Sequence, residues 1–120
     1  MKAFTLVTLV DFYGDVPYSE ANTGIDNLNP SADSGASIYA AALDLLTAAN
    51  ANFNTTDNAA DPENDYFYGG DWDNWVKLSN SLKLKIYAQT RLVDAGAVSA
   101  FNAIITGGNY ITSVDEDFQF

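Results

Sequence analysis

Tyr66, Phe67, Tyr68, Trp72 and Trp75 fall in one short stretch, interleaved with Asp65, Asp71, Asp73, Asn74 and Lys77. A sugar ring has an apolar face on which Trp or Tyr can stack, while carboxylates, amides and an ammonium can bond its hydroxyls. The stretch is therefore suited to holding a neutral glycan, with Tyr66, Tyr68, Trp72, Asp71 and Asn74 as the candidate ligand contacts. Architecture competes for the same residues. Trp75 lies on a periodic apolar row and reads as packing, and Tyr68 with Gly69 and Gly70 reads as shaping a turn. Tyr66 and Trp72 are the better candidates for exposure.

Other chemistries fare worse. The chain has no His and no Cys, which excludes disulfides, Cys/His zinc sites, thiol nucleophiles and histidine acid–base pairs. Paired carboxylates can hydrolyse glycosides when they stand about 5–10 Å apart, but among 16 acids some pair always meets that distance. Asp57, Asp61, Glu63, Asp65, Asp71 and Asp73 concentrate hard oxygens of the kind calcium takes. The calcium-loop spacing fails, since Tyr66 stands where glycine is required, so a solvated acidic loop is the expectation. No catalytic residue, metal or cofactor is assigned.

Net charge is −11, from 16 acids against 5 bases. Such a surface repels phosphate backbones and argues against a nucleic-acid partner. It suits a neutral ligand, a cation or a basic protein surface equally. An apolar share of 48 % with 13 % aromatic is ample for a core, which argues against global disorder.

The elements that would position these residues can be read along the chain. Segment 2–13 is apolar almost all round (Phe4, Leu6, Val7, Leu9, Val10, Phe12); periodicity leaves buried helix and buried strand open, and β-branched Thr5, Val7, Thr8 and Val10 lean towards strand. Gly14 stops it and Pro17 prevents resumption. Residues 14–35 read as loop, punctuated by Pro17, Gly24, Asn27, Pro30 and Gly35. The next helix, 36–53, carries Ile38, Ala42, Leu45, Leu46, Ala49 and Phe53 on one stripe, with Asp33 or Ser34 as cap. A second loop, 54–70, holds Pro62, the paired glycines and a formal glycosylation acceptor at Asn54-Thr55-Thr56. A long helix over 72–93 follows, capped by Asp71, with Asp73–Lys77 as an i,i+4 pair. Its apolar rows are Trp75, Leu78, Leu82, Ile86 and Leu84, Ala88, Leu92. Asp94 caps a last helix, 95–106, with Ala97, Phe101, Ile104 and Ile105 inward, and the tail is irregular or one short strand. The leading MKAFTLVTLV imitates a secretory leader, yet its apolar run meets Asp11 and lacks a small-residue cleavage site. No stretch is long enough to span a bilayer.

FYGDVPYSEA at Phe12–Ala21 and DYFYGGDWDNWVKLSNSLKLK at Asp65–Lys85 together resemble the core signature of the SusD/RagB-like family, the surface lipoproteins with which Bacteroidota capture nutrients. The resemblance runs in the family's order over most of the chain. It implies helix for 2–13, and an all-α fold of antiparallel helix pairs, 2–13 with 36–53 and 72–93 with 95–106, in a tetratricopeptide-like solenoid forming one domain over 1–120. No clean internal repeat supports that solenoid independently. The resemblance further implies a non-catalytic protein, lipid-anchored at the outer membrane, that captures oligosaccharide or another nutrient. Its partner would be a TonB-dependent transporter barrel of the SusC-like type. The lipid-modified cysteine has no counterpart here, so the chain is expected to be an internal fragment. Family motif positions are scaffold, with ligand contacts often supplied elsewhere. The alternatives are a purely structural helical-repeat interaction module without a ligand site, and an unrelated acidic helical domain.

Overall fold

The computed structural model describes residues 1–55 and 65–119. The acidic positions Asp57, Asp61 and Glu63, together with Pro62 and Thr56 of the glycosylation acceptor, lie outside the described residues. Four α-helices make up the described chain: α1 (Lys2–Tyr13), α2 (Gly35–Phe53), α3 (Trp72–Thr90) and α4 (Ala97–Gly107). Single 3-10 turns occur at Gly24–Asp26 and Val114–Glu116. The only pairing of extended backbone among the described residues is an isolated antiparallel bridge between Val16 and Asp33. The chain divides into two compact units, Met1–Leu45 and Leu46–Phe120.

In the first unit, α1 buries Ala3, Leu6, Val7 and Val10. That spacing is a helical stripe once Ala3 is counted with its larger neighbours. Leu6 and Val10 meet Ile38 of α2, with Val16, Tyr18, Tyr39 and Leu45 packed around them. Gly14 ends α1 at φ 75° and donates its amide to the Val10 carbonyl. The YGDVPYSEA segment then acts as structure. Asp15 accepts the Gly35 amide at 2.8 Å, where α2 begins. Asp33 accepts the Tyr18 and Ser19 amides, both at 2.8 Å. Glu20 accepts from Asn27 Nδ2 and from the Ser31 amide, both at 2.9 Å. These amide bonds hold the Asp33 and Glu20 carboxyls below their ordinary range. Of the two expected caps, Ser34 serves α2, its Oγ accepting from the Ser37 amide at 3.2 Å. Tyr39 donates its hydroxyl to Asp11 across the unit. Burial first, and then that charged acceptor, push its phenol up to about 12.

In the second unit, α3 and α4 pack on one another. Helix α3 ends at Thr90 rather than at 93: the Val93 and Asp94 amides both return to the Thr90 carbonyl, so Leu92 sits in a turn and is exposed. Helix α4 begins at Ala97 rather than 95. Asp94 forms a tight turn to the Gly96 amide at 2.8 Å and does not cap the helix. Two further expectations are corrected. The most buried positions of α3 are Val76, Ser79 and Ile86, while Leu78 and Leu82 are half-buried. Ser79 tolerates burial because its hydroxyl donates to the Leu46 carbonyl at 3.2 Å, which offsets the loss of water. On α4, Ile105 is exposed and Ala97 is the buried anchor. No helix among the described residues is long and apolar enough to cross a membrane.

Candidate functional site

The junction entering α3 is organised by one carboxylate. Asp65 Oδ1 accepts the amides of Phe67 at 3.1 Å and Tyr68 at 3.2 Å. Its Oδ2 accepts the Gly70 amide at 3.0 Å and the Trp75 indole N–H at 2.7 Å. Bringing three amides onto one side chain requires a tight reversal, supplied by Gly69 and Gly70 at φ 60° and 88°, a region that β-carbons disfavour. Desolvation pushes the Asp65 carboxyl up, but the bonds from Trp75, Gly70, Tyr68 and Phe67 together outweigh it and hold the group below its ordinary range.

The turn also gathers rings. Trp75 lies edge-on to Tyr68, with centroids 5.2 Å apart and planes at 88°, and meets Phe118 of the tail at 5.8 Å. Phe67 stacks on Phe118 at 4.2 Å. The tail is fastened by polar contacts as well. The Tyr68 hydroxyl donates to the Glu116 carbonyl at 3.0 Å, and Lys77 pairs with the Glu116 carboxylate at 2.6 Å. Lys77, with the Thr112 amide, holds that carboxyl down to about 2. The expected Asp73–Lys77 helical pair is therefore replaced by a partner from the chain's far end. A closer and better-aligned carboxylate outcompetes a solvated neighbour on the same helix.

Each candidate ligand contact can now be placed. Tyr68 is half-buried and bonded as described. Asp71 caps α3, Oδ1 accepting the Asn74 amide at 3.2 Å, while Asn74 Nδ2 donates to Asp71 Oδ2 at 3.2 Å. Trp72 stacks on Phe53 with centroids 5.5 Å apart and planes at 24°, and remains half-buried. Tyr66 is 72 % exposed. The structure thus brings Tyr68 and Trp75 onto Asp65, couples Asp71 with Asn74, and leaves Tyr66 at the surface. Sequence reading missed Glu116, Phe118 and Asp65's organising role. A lone Asp five residues before a second Gly carries no signal distinguishing it from a loop acid. Among the described residues, no cluster of acids is placed to hold a metal ion.

The Asp65 arrangement makes a pH prediction. Its folded carboxyl titrates below the ordinary 3.8. Its stabilising contribution is therefore complete above that value and is lost as pH falls through the lower folded one. Glu20, Asp33 and Glu116 act with the same sign, so the wild-type slope is composite. Urea unfolding at stepped pH should show wild type's advantage over Asp65→Asn shrinking as pH falls below the ordinary carboxylate value of 3.8. An advantage independent of pH would show that the charge of Asp65 is not what holds the turn.

Comparison with known proteins adds identity to this geometry. A family model described as starch-binding and associating with the outer membrane, the SusD-like family, matches residues 1–120. A SusD homologue from Bacteroides fragilis superposes with a TM-score of 0.81 at 25 % identity, over 99 % of this chain and 26 % of its own. A SusD/RagB family protein from Bacteroides thetaiotaomicron gives 0.81 at 27 % identity, over 97 % and 24 %. A chitin-binding SusD homologue from Flavobacterium johnsoniae shares the fold, at 0.74 and 20 % identity, over 95 % and 26 %. No curated protein matches the sequence. The chain spans about a quarter of the length of these solved relatives. The helices, the order of the two motif segments and this family match agree: the chain belongs to the SusD-like family, with its all-α, tetratricopeptide-like fold.

Proposed function

We propose that the chain serves nutrient capture at the outer membrane without catalysis, as the helical scaffold of a SusD-like lipoprotein that partners a TonB-dependent transporter barrel. The match of all 120 residues to a family described as starch-binding and associating with the outer membrane carries this reading. Oligosaccharide is the favoured ligand class, in keeping with that description and with the chitin-binding relative. Within this segment, contact falls to Tyr66, which is 72 % exposed, and to the partly exposed face of Trp72. Stacking on few rings with little enclosure makes such binding weak.

Tryptophan fluorescence titrated with soluble starch- and chitin-derived oligosaccharides tests the ligand part. A saturable change is expected, lost in Tyr66→Ala and Trp72→Ala. Silence from every glycan, with helicity intact by circular dichroism, overturns it. The inward engagement of the Asp65 turn favours a second reading, a helical-repeat interaction module with no ligand site. Its mark is capture of a SusC-like transporter that survives both substitutions.

A further inference from the structure

The chain's cations are unevenly placed. Lys77, Lys83, Lys85 and Arg91, four of the 5 bases, lie in the α3–α4 hairpin from Asn74 to Val114, where Asp94 is the one acid of the 16. Lys77 is paired with Glu116, and Asp94 is turned to the Gly96 amide. Between α3 and α4 lies an apolar cleft of about 220 Å³, lined by Tyr87, Ala88, Arg91, Val98 and Phe101. It is smaller than the roughly 300–1,000 Å³ of ordinary small-molecule sites and has few polar groups to orient a sugar. It is of a size for one apolar side chain.

Arg91 stands at the rim. One of its N–H groups donates to the Ala88 carbonyl, pinning the guanidinium beside the cleft. No carboxylate pairs with it among the described residues. A guanidinium has five donors in a fork that matches carboxylates, so most of its capacity remains for a partner. Lys83 precedes Tyr87 by one turn on the same row of α3. Leu92 and Val93, in the turn that follows Arg91 in sequence, are 85 % and 86 % exposed. An apolar slot with a guanidinium in its wall, on a hairpin richer in bases than in acids, selects for a partner that is apolar at one point and negative beside it.

We propose that the α3–α4 cleft docks an acidic polypeptide segment of another protein, which seats one apolar side chain in the cleft and pairs its carboxylates with Arg91. The inference stands apart from glycan capture, which the tryptophan titration reads separately. The probe is a fluorescein-labelled peptide of Asp and Glu with one central Phe, followed by anisotropy against the full chain. Saturable binding that weakens with salt is expected. Arg91→Glu should weaken it by about tenfold or more, and so should Val98→Asp, which adds a carboxylate to a half-exposed wall without emptying the core. A peptide with Ser in place of Phe should lose at least as much.

Four results would overturn the proposal. The two variants, folded by circular dichroism, could bind as wild type does. The Ser peptide could bind equally, revealing charge attraction alone. Phenylpropionate could displace the peptide completely at comparable concentration, making the site one for small carboxylates. Sedimentation could show self-association abolished by Arg91→Glu, with no peptide bound, making the occupant a second copy.

Discussion

Trp75→Ala is expected to destabilise the Leu46–Phe120 unit by about 3–5 kcal/mol, the usual cost of truncating a packed tryptophan. The indole touches Tyr68, Phe118, Phe67 and Phe53, with ring centroids between 5.2 and 6.3 Å. Its N–H is also one of the four donors on Asp65. Removing it takes away ring contacts of the end of α2, one loop and the tail, and leaves the carboxylate with one donor fewer. Trp75→Phe separates the two contributions. A benzene ring retains most of the packing and loses only the bond to a charged acceptor, for which about 1.5–3 kcal/mol is expected. Urea unfolding followed by far-ultraviolet circular dichroism measures both. Trp75→Phe and Asp65→Ala should also be non-additive, because each removes an end of the same bond. A Trp75→Ala cost below about 1 kcal/mol, typical of an exposed position, would mean that the ring cluster does not organise the turn.

The second large effect lies in the Met1–Leu45 unit. Ile38 has no exposed surface and fills the space between Leu6 and Val10 of α1. Ile38→Ala should cost about 3 kcal/mol, the lost transfer free energy plus the cavity left where neighbours collapse only in part. Phe12→Ala supplies the contrast. Phe12 is the larger residue but is 77 % exposed, so its loss should fall within about 0.5 kcal/mol. Thermal unfolding of the two variants side by side should rank them in that order. The reverse ranking would place the core of α1 on its other face.

That contrast shows what apolar composition conceals. Helix α1 is hydrophobic on every side, so periodicity left helix and strand open, β-branched Thr5, Val7, Thr8 and Val10 leaned towards strand, and the family resemblance decided for the helix that forms. Only small Ala3, overlooked beside Phe4, completes the helical spacing with Leu6, Val7 and Val10. On α3 the same rule misled in the other direction. Leu78 and Leu82 drew attention by hydrophobicity, yet Ser79 is more buried, because hydrogen bonding can compensate a hydroxyl that a pattern search counts as polar.

Among the candidate site residues, Asp71's capping role was legible and Asp65's was not. A cap acts within one turn, so its signal is adjacent in sequence. Asp65 works through a reversal at Gly69 and Gly70 and an indole ten residues on, contacts that exist only after the chain bends.

The residues alone determined the Asp71 cap, the stop at Gly14, the exclusion of thiol and histidine chemistry, and the family signature, since caps, glycines and missing His and Cys act locally or by absence. The bounds of α3 and α4 at Thr90 and Ala97 came only with the fold. Tertiary structure decided which acid Lys77 pairs with, which face of each helix is covered, and that the aromatic junction closes on its own tail. Those outcomes depend on competition between partners distant in sequence, such as Asp73 against Glu116 for one ammonium. That competition is settled by distance and burial, which do not exist until the helices have packed.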